Sequence, residues 1–125
     1  MKHLEDNLQI ACINYFHMQY PQCIIHHSAN GGKRTMRINN KGQKYCPEGS
    51  RFKQMGVVAG FPDLMIITNK KIFFVELKSQ KQKPNENQKI IHEKLNKLEQ
   101  KVYLCYSINE FIAICKKEIQ FNELL

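Results

Sequence analysis

The feature that most restricts the fold of this 125-residue chain is a pair of short apolar runs separated by a polar turn. Residues 64–68 and 72–77 are rich in β-branched and aromatic side chains, and Asn69-Lys70-Lys71 lies between them. Two such runs joined by a short polar connection are typical of a β-hairpin. The sequence therefore predicts two adjacent antiparallel strands near the middle of the chain.

The second strand of this hairpin separates an apolar face from a charged one. Side chains alternate along a strand, so every second residue shares a face. The apolar set, which belongs in the core, is Phe73, Val75 and Leu77. Glu76 and Lys78 project together from the opposite face. An acid and a base at this spacing also occur as an ordinary exposed pair, so these two residues alone do not define a site.

Asp63 lies at the start of the first strand, directly after Pro62. The hairpin brings this start alongside the end of the second strand, where Asp63 and Glu76 can converge beside Lys78. Two carboxylates placed together repel each other unless a cation or a proton lies between them. Mg²⁺ takes oxygen ligands and keeps waters for substrate phosphate, so a two-carboxylate magnesium site is expected here. Lys78 would hold or help to deprotonate an attacking water and stabilise charge at phosphorus.

The amino-terminal half predicts one helix, one strand and a long connection. Apolar residues recur at three- and four-residue steps over residues 2–19, which is typical of an amphipathic helix, and Pro21 ends the run. Residues 22–28 suit a short strand. Residues 29–60 lose this periodicity and contain several glycines and asparagines, so a long loop is predicted, with a helical turn near residues 50–55.

The carboxy-terminal part alternates helix and strand. Residues 84–100 are predicted to form a helix with Pro84 near its first turn, and residues 101–106 a further strand. Ser107 is the predicted N-cap of the last helix, and Glu110 completes a capping box. The apolar stripes are Ile90, Ile91, Leu95 and Leu98 in the first helix, and Ile108, Phe111, Ile112 and Cys115 in the second. The order α-β-β-β-α-β-α predicts an α/β fold with a central mixed sheet flanked by helices.

Basic residues are concentrated in one part of the chain. There are 19 Lys and Arg against 11 Asp and Glu, a formal net charge of +8. A dense group lies in the long loop, with Glu48 as its only acid; its members are Lys33, Arg34, Arg37, Lys41, Lys44, Arg51 and Lys53. Such a group favours a polyanionic partner through counterion release, and we expect this loop to bind DNA. A basic surface can also serve solubility alone.

Length and composition suggest one domain, residues 1–125, and a cytoplasmic protein that is either bacterial or phage-encoded. No apolar run approaches the roughly 20 residues that span a bilayer, so no membrane partner is expected. The cysteines include no CxxC pair. Cys12, Cys23, Cys105 and Cys115 lie among apolar residues and are expected to be buried, reduced thiols, whereas Cys46 in a polar loop is expected to be exposed.

The residues around the hairpin resemble a known nuclease motif. Pro62-Asp63 followed by Glu76-Leu77-Lys78 resembles the signature of the PD-(D/E)XK nucleases, which have a restriction-endonuclease-like core. The stretch GVVAGFPDL, residues 56–64, is similar to the GxxxGxPDL motif of the VRR-NUC family. Gln88 and Glu5 match that family's ExK…Q arrangement and its amino-terminal acid. The resemblance covers most of the chain, and residues 33–51 do not align with it.

The resemblance implies which residues act in catalysis and which bind the metal, Mg²⁺ or Mn²⁺. The catalytic set is Asp63, Glu76, Lys78, Gln88 and Glu5, and the metal ligands are Asp63, Glu76, the backbone carbonyl of Leu77 and Glu5. Glu5 would lie near the metal, through water, and Gln88 would reach the site from the helix after the hairpin. Two simpler interpretations stay open: Glu5 as a first-turn acid favoured by the helix dipole, and Gln88 as a solvated helix residue.

The resemblance also implies an activity and an assembly. Small stand-alone members resemble structure-specific endonucleases that act as homodimers on branched DNA such as Holliday junctions. The implied function is therefore metal-dependent hydrolysis of DNA phosphodiester bonds. Cleavage of linear, single-stranded or flapped DNA is a second interpretation. A third is a non-catalytic DNA-binding module on the same core, against which the intact Asp63, Glu76 and Lys78 argue.

Overall fold

The computed structural model of the chain describes residues 4–28 and 37–120. The helices of this part are α1 (Leu4–Gln19), α2 (Pro47–Gln54), α3 (Glu86–Lys97) and α4 (Ile108–Glu118). The strands are β1 (Ile24–His27), β2 (Arg37–Ile38), β3 (Lys44–Tyr45), β4 (Leu64–Ile67), β5 (Ile72–Leu77) and β6 (Lys101–Cys105). Among these described residues, no helix is long and apolar enough to cross a membrane.

The predicted hairpin forms the middle of a four-stranded sheet in the order β1-β4-β5-β6. β4 pairs antiparallel with both β1 and β5, and β6 pairs parallel with β5 after the crossover through α3. Leu64 lies opposite Val75. Continuing this register by one residue sets Asp63 opposite Glu76, so the hairpin itself brings the two carboxylates side by side.

Helices cover both faces of this sheet, which confirms the predicted α/β architecture. On one face Phe73, Val75 and Leu77 are buried, as strand alternation predicts. They pack in one cluster with side chains of α1 and α4, among them Cys12, Phe16, Phe111 and Cys115. On the other face α3 directs Gln88 and His92 toward Glu76. The apolar core therefore lies on one side of the sheet, and the carboxylates of Asp63 and Glu76 lie on the other.

The long loop predicted for residues 29–60 is wrong over the part that the structure describes, residues 37–60. This part contains the β2–β3 hairpin and the eight-residue helix α2, which is longer than the predicted turn at 50–55. Two-residue strands are too short to show a period of two, which is why the sequence pattern misses them. Pro47 in the first turn of α2 was an available signal for the helix.

The environment of Cys46 also differs from the prediction. The four other cysteines are buried, as expected. Cys46, which was expected to be exposed, is half-buried, because its Sγ caps α2 by accepting a hydrogen bond from the backbone N–H of Gly49 at 3.4 Å. The side chain is therefore held against the helix that it starts.

The helix predicted for residues 84–100 is shorter, and its apolar stripe is only partly correct. Asn85, not Pro84, begins α3 through a reciprocal capping box with Gln88. Ile90 and Leu98 are 47% and 69% exposed, whereas the other two stripe residues, Ile91 and Leu95, are half-buried. The predicted apolar stripe is only partly buried because the side of α3 that faces the sheet is partly polar.

The last helix begins as predicted, with one difference in its cap. Ser107 Oγ accepts a hydrogen bond from the backbone N–H of Glu110 at 3.1 Å. The Glu110 carboxylate accepts from the backbone N–H of Tyr106, one residue before the N-cap, so the predicted capping box is only half formed. Phe111 and Cys115 of the predicted apolar face are fully buried.

Candidate active site

Glu76 is the centre of the charged face of the sheet. It lies near the end of β5 and is only 2% exposed. Gln88 Nε2 donates a hydrogen bond to Glu76 Oε2 at 3.0 Å. The second oxygen, Oε1, is buried and accepts no hydrogen bond from any described residue. Burying a carboxylate is costly unless it is paired, so this oxygen marks a place for a cation or a proton.

Asp63 is held in place by the strands on both sides of it. Its Oδ2 accepts a hydrogen bond from the backbone N–H of Leu77 at 2.8 Å. Its backbone carbonyl accepts from the N–H of Ser28 at 2.8 Å and lies 3.1 Å from Nδ1 of His27. The aspartate therefore has a fixed position next to the end of β5.

The two carboxylates strongly affect each other's charge. The pKa of Glu76 is raised from 4.5 to about 9, first by burial and then by the hydrogen bond and repulsion that Asp63 contributes. Glu5 raises this pKa further, whereas the Lys78 ammonium lowers it. At neutral pH the pair therefore holds a proton, which a divalent cation placed between the two groups would replace.

We expect the metal-free protein to lose stability as the pH rises, through Glu76. The folded state keeps a proton up to about pH 9 that the unfolded state releases near 4.5. Within that window the folded state binds more protons, so the free energy of unfolding falls as the pH rises. Urea denaturation in EDTA across the window measures this. Glu76→Gln removes the titration and should flatten the dependence; an unchanged slope would assign it to other groups.

Glu5 connects the first helix to the end of β5. Its Oε1 accepts a hydrogen bond from the backbone N–H of Ser79 at 3.0 Å. The Glu5 carboxylate therefore lies next to the residue that follows Lys78. Glu5 is therefore not only a first-turn acid that stabilises the start of α1 through the helix dipole. Within residues 4–28 and 37–120, however, no three His, Cys, Asp or Glu side chains cluster closely enough to hold a metal ion. The centre of the site is the pair of Asp63 and Glu76.

Gln88 reaches the site as the sequence motif implies. It is half-buried and bonded to Glu76, which excludes the interpretation of a solvated helix residue. Its backbone and side chain both take part in the capping box with Asn85, so the start of α3 fixes its position.

His92 is part of the site, although the sequence analysis did not single it out. Its Nε2 lies 3.7 Å from Glu76 Oε1. Burial, followed by the nearby Lys78 ammonium, lowers the pKa of His92, which favours the neutral imidazole. His92 follows Gln88 by four residues, and residues at this spacing share a helix face. This four-residue spacing from Gln88 was the sequence signal that could have identified His92 as a site residue.

Gly60 brings the turn before Asp63 directly against the start of α3. Its φ is +84°, and a Cβ at this position would lie 2.5 Å from the carbonyl carbon and oxygen of Asn87. No side chain fits there without moving the helix. The close contact between Gly60 and α3 forms one wall of a cleft of about 350 Å³. Asp63, Gln88 and Lys53 also line this cleft.

Five of the seven predicted DNA-binding residues lie on the described segment that leads into this cleft. Arg37, Lys41 and Lys44 belong to the β2–β3 hairpin and its turn, and all three are exposed. Arg51 and Lys53 lie on α2 and are also exposed. The two others, Lys33 and Arg34, lie outside the described residues.

The comparisons with known proteins indicate a nuclease-type α/β fold. The model of the VRR-NUC domain matches residues 5–109, and the chain belongs to the VRR-NUC family. A solved structure of a VRR-NUC domain protein is similar, with a TM-score of 0.69 and 26% sequence identity, over 93% of this chain and 88% of that one. No curated protein gives a significant match. The family predicted from the PD and ExK motifs is therefore confirmed.

Proposed function

We propose that this protein is a metal-dependent endonuclease that hydrolyses phosphodiester bonds of branched DNA as a homodimer in the cytoplasm. The observation that carries the proposal is the buried Glu76 next to the half-buried Asp63 and Lys78, where burial and Asp63 raise the pKa of Glu76 so that the site takes up a proton or a cation at neutral pH. Membership of the VRR-NUC family indicates a nuclease and DNA as its substrate. Membership of the family does not by itself establish metal dependence, a preference for branched DNA or a homodimer, so each of these three properties needs a separate experiment.

The residues of the site fit Mg²⁺ or Mn²⁺. Asp63 and Glu76 would hold the ion with the backbone carbonyl of Leu77, an oxygen donor set that suits both metals. When bound, the ion supplies an activated water and neutralises charge on the phosphate. Gln88 holds one oxygen of Glu76 and leaves Oε1 for the ion. The Lys78 ammonium, on the same face, would orient the water and stabilise the negative charge that develops at phosphorus.

We expect cleavage of a four-way junction to exceed cleavage of a flap, a single strand and a linear duplex, with Mg²⁺ or Mn²⁺ and not with EDTA. Gel assays on this substrate panel measure the rates. Equal rates on all substrates would remove the junction proposal and favour a general DNA nuclease. A band shift without product under both metals would instead favour a non-catalytic binding module.

The homodimer follows from the need to cut two strands of a junction. The described part of one chain contains one Asp63–Glu76 pair, so paired cuts in one encounter need a second copy. Sedimentation velocity with a junction measures the stoichiometry. One chain per junction during paired cutting would overturn the dimer.

The exposed β2–β3 hairpin is proposed to bind the DNA backbone near the cleft. It carries Arg37, Lys41 and Lys44, contains no acid, and leads through Cys46 into α2, which lines the cleft. We expect the triple substitution of these three residues by Ala to weaken DNA binding and to reduce the slope of log K against log salt by up to about 2.7, since each phosphate contact contributes about 0.9.

Fluorescence anisotropy with labelled DNA over a salt series measures the slope. The matched control is Lys89→Ala, Lys94→Ala and Lys97→Ala, which removes the same charge from the exposed surface of α3. An equal reduction in both triple variants would show that net charge, and not the hairpin, determines binding.

A further inference from the structure

Two buried polar atoms face each other beside the proposed metal site. Glu76 Oε1 and His92 Nε2 are 3.7 Å apart, and their side chains are only 3% and 13% exposed. Neither atom has a hydrogen-bond partner among the described residues. A separation of 3.7 Å is too long for a direct hydrogen bond. Buried polar atoms are rarely left unpaired, so a species that satisfies both belongs between them.

The position of His92 is fixed by contacts that are independent of its ring. The start of α3 lies against Gly60, where no Cβ could fit. One turn before His92, Gln88 is bonded to the other oxygen of Glu76 at 3.0 Å. His92 therefore faces Glu76 because the whole helix is anchored there.

The gap between the two atoms suits one metal ion. Metal–nitrogen and metal–oxygen bonds of transition ions are each about 2.1 Å long, so one ion can contact two atoms that are 3.7 Å apart. Imidazole suits Fe²⁺, Ni²⁺ and Zn²⁺ best and also binds Mn²⁺, the weakest binder of the first-row series, whereas Mg²⁺ takes oxygen ligands. A nitrogen donor beside Glu76 would therefore change which ion the site prefers.

We propose that His92 is a nitrogen ligand of the active-site ion and makes the site select Mn²⁺ or another first-row transition ion over Mg²⁺. This inference rests on the proposed function, because it assumes that the ion binds at Glu76. Glu76 and His92 would form one edge of the coordination shell. Since no three such side chains of the described residues enclose an ion by themselves, Asp63 would reach the ion through a water, and the Leu77 carbonyl, water and phosphate oxygens would complete the shell.

The test measures binding and coordination of Mn²⁺ in the full chain without DNA. Pulsed electron paramagnetic resonance should show ¹⁴N modulation from a coordinated imidazole, which changes when the histidines are labelled with ¹⁵N. In His92→Gln the ¹⁴N signal should disappear, and Mn²⁺ affinity should fall by about tenfold or more while Mg²⁺ affinity hardly changes. The matched control is His17→Gln on the exposed side of α1, which should leave the signal and both affinities unchanged.

Each outcome decides between the proposals. Mn²⁺ that binds without ¹⁴N modulation, in a protein that cleaves DNA and loses the ion on Glu76→Gln, overturns the role of His92 and leaves the nuclease intact. Equal losses of Mn²⁺ and Mg²⁺ affinity in His92→Gln also overturn it, and indicate that His92 orients Glu76 through a water or a short shift. If neither ion binds and no substrate is cleaved, both proposals fall. The wild-type spectrum decides the coordination even if His92→Gln does not fold.

Discussion

Substituting Asp63 by Asn or Glu76 by Gln should abolish DNA cleavage, with a loss of about three orders of magnitude in rate, while the protein still folds. Each amide preserves the volume of the carboxylate that it replaces, and neither substitution changes an apolar contact of the core. What the substitutions remove is the negative charge that would hold the cation. Single-turnover cleavage of a junction with Mn²⁺ measures the loss.

The matched control for this prediction is another buried carboxylate. Glu118 is 4% exposed, and it pairs with Lys101 Nζ at 3.4 Å, away from Asp63 and Glu76. Glu118→Gln should lower stability and retain cleavage. Full cleavage by a pure preparation of either the Asp63 or the Glu76 variant would overturn the assignment of the site.

The second large effect is expected from Gly60→Ala. The positive φ of +84° costs an alanine about 1 kcal/mol, and a Cβ that meets the Asn87 carbonyl at 2.5 Å adds about 1–3 kcal/mol. The free energy of unfolding should therefore fall by about 2–4 kcal/mol, as measured by urea denaturation. Cleavage by the folded fraction should also fall, because relief of the overlap moves Gln88 away from Glu76.

Gly42→Ala separates the two causes of this loss. Gly42 has a similar φ of +75°, but a Cβ there would meet nothing within 4 Å. It should therefore lose only the backbone contribution of about 1 kcal/mol. Equal losses at the two glycines would show that the close approach of Gly60 to α3 is unimportant.

The sequence by itself determined the hairpin and the pairing of its two carboxylates. Alternation along β5 is a local property, so the buried apolar face and the opposite position of Glu76 follow from residue order alone. A short turn fixes the register of a hairpin, which is why Asp63 could be expected beside Glu76. The cap of the last helix at Ser107 is equally local.

Only the tertiary structure decided what surrounds that pair. The apolar stripe of α3 did not reveal which side would face the sheet, since Ile90 and Leu98 stay exposed while Gln88 and His92 turn to Glu76. That orientation depends on the contact between Gly60 and the start of α3, two segments far apart in the sequence. Likewise, the link from Glu5 to Ser79 spans 74 residues. Local periodicity places residues on a strand, whereas long-range packing determines which of them meet.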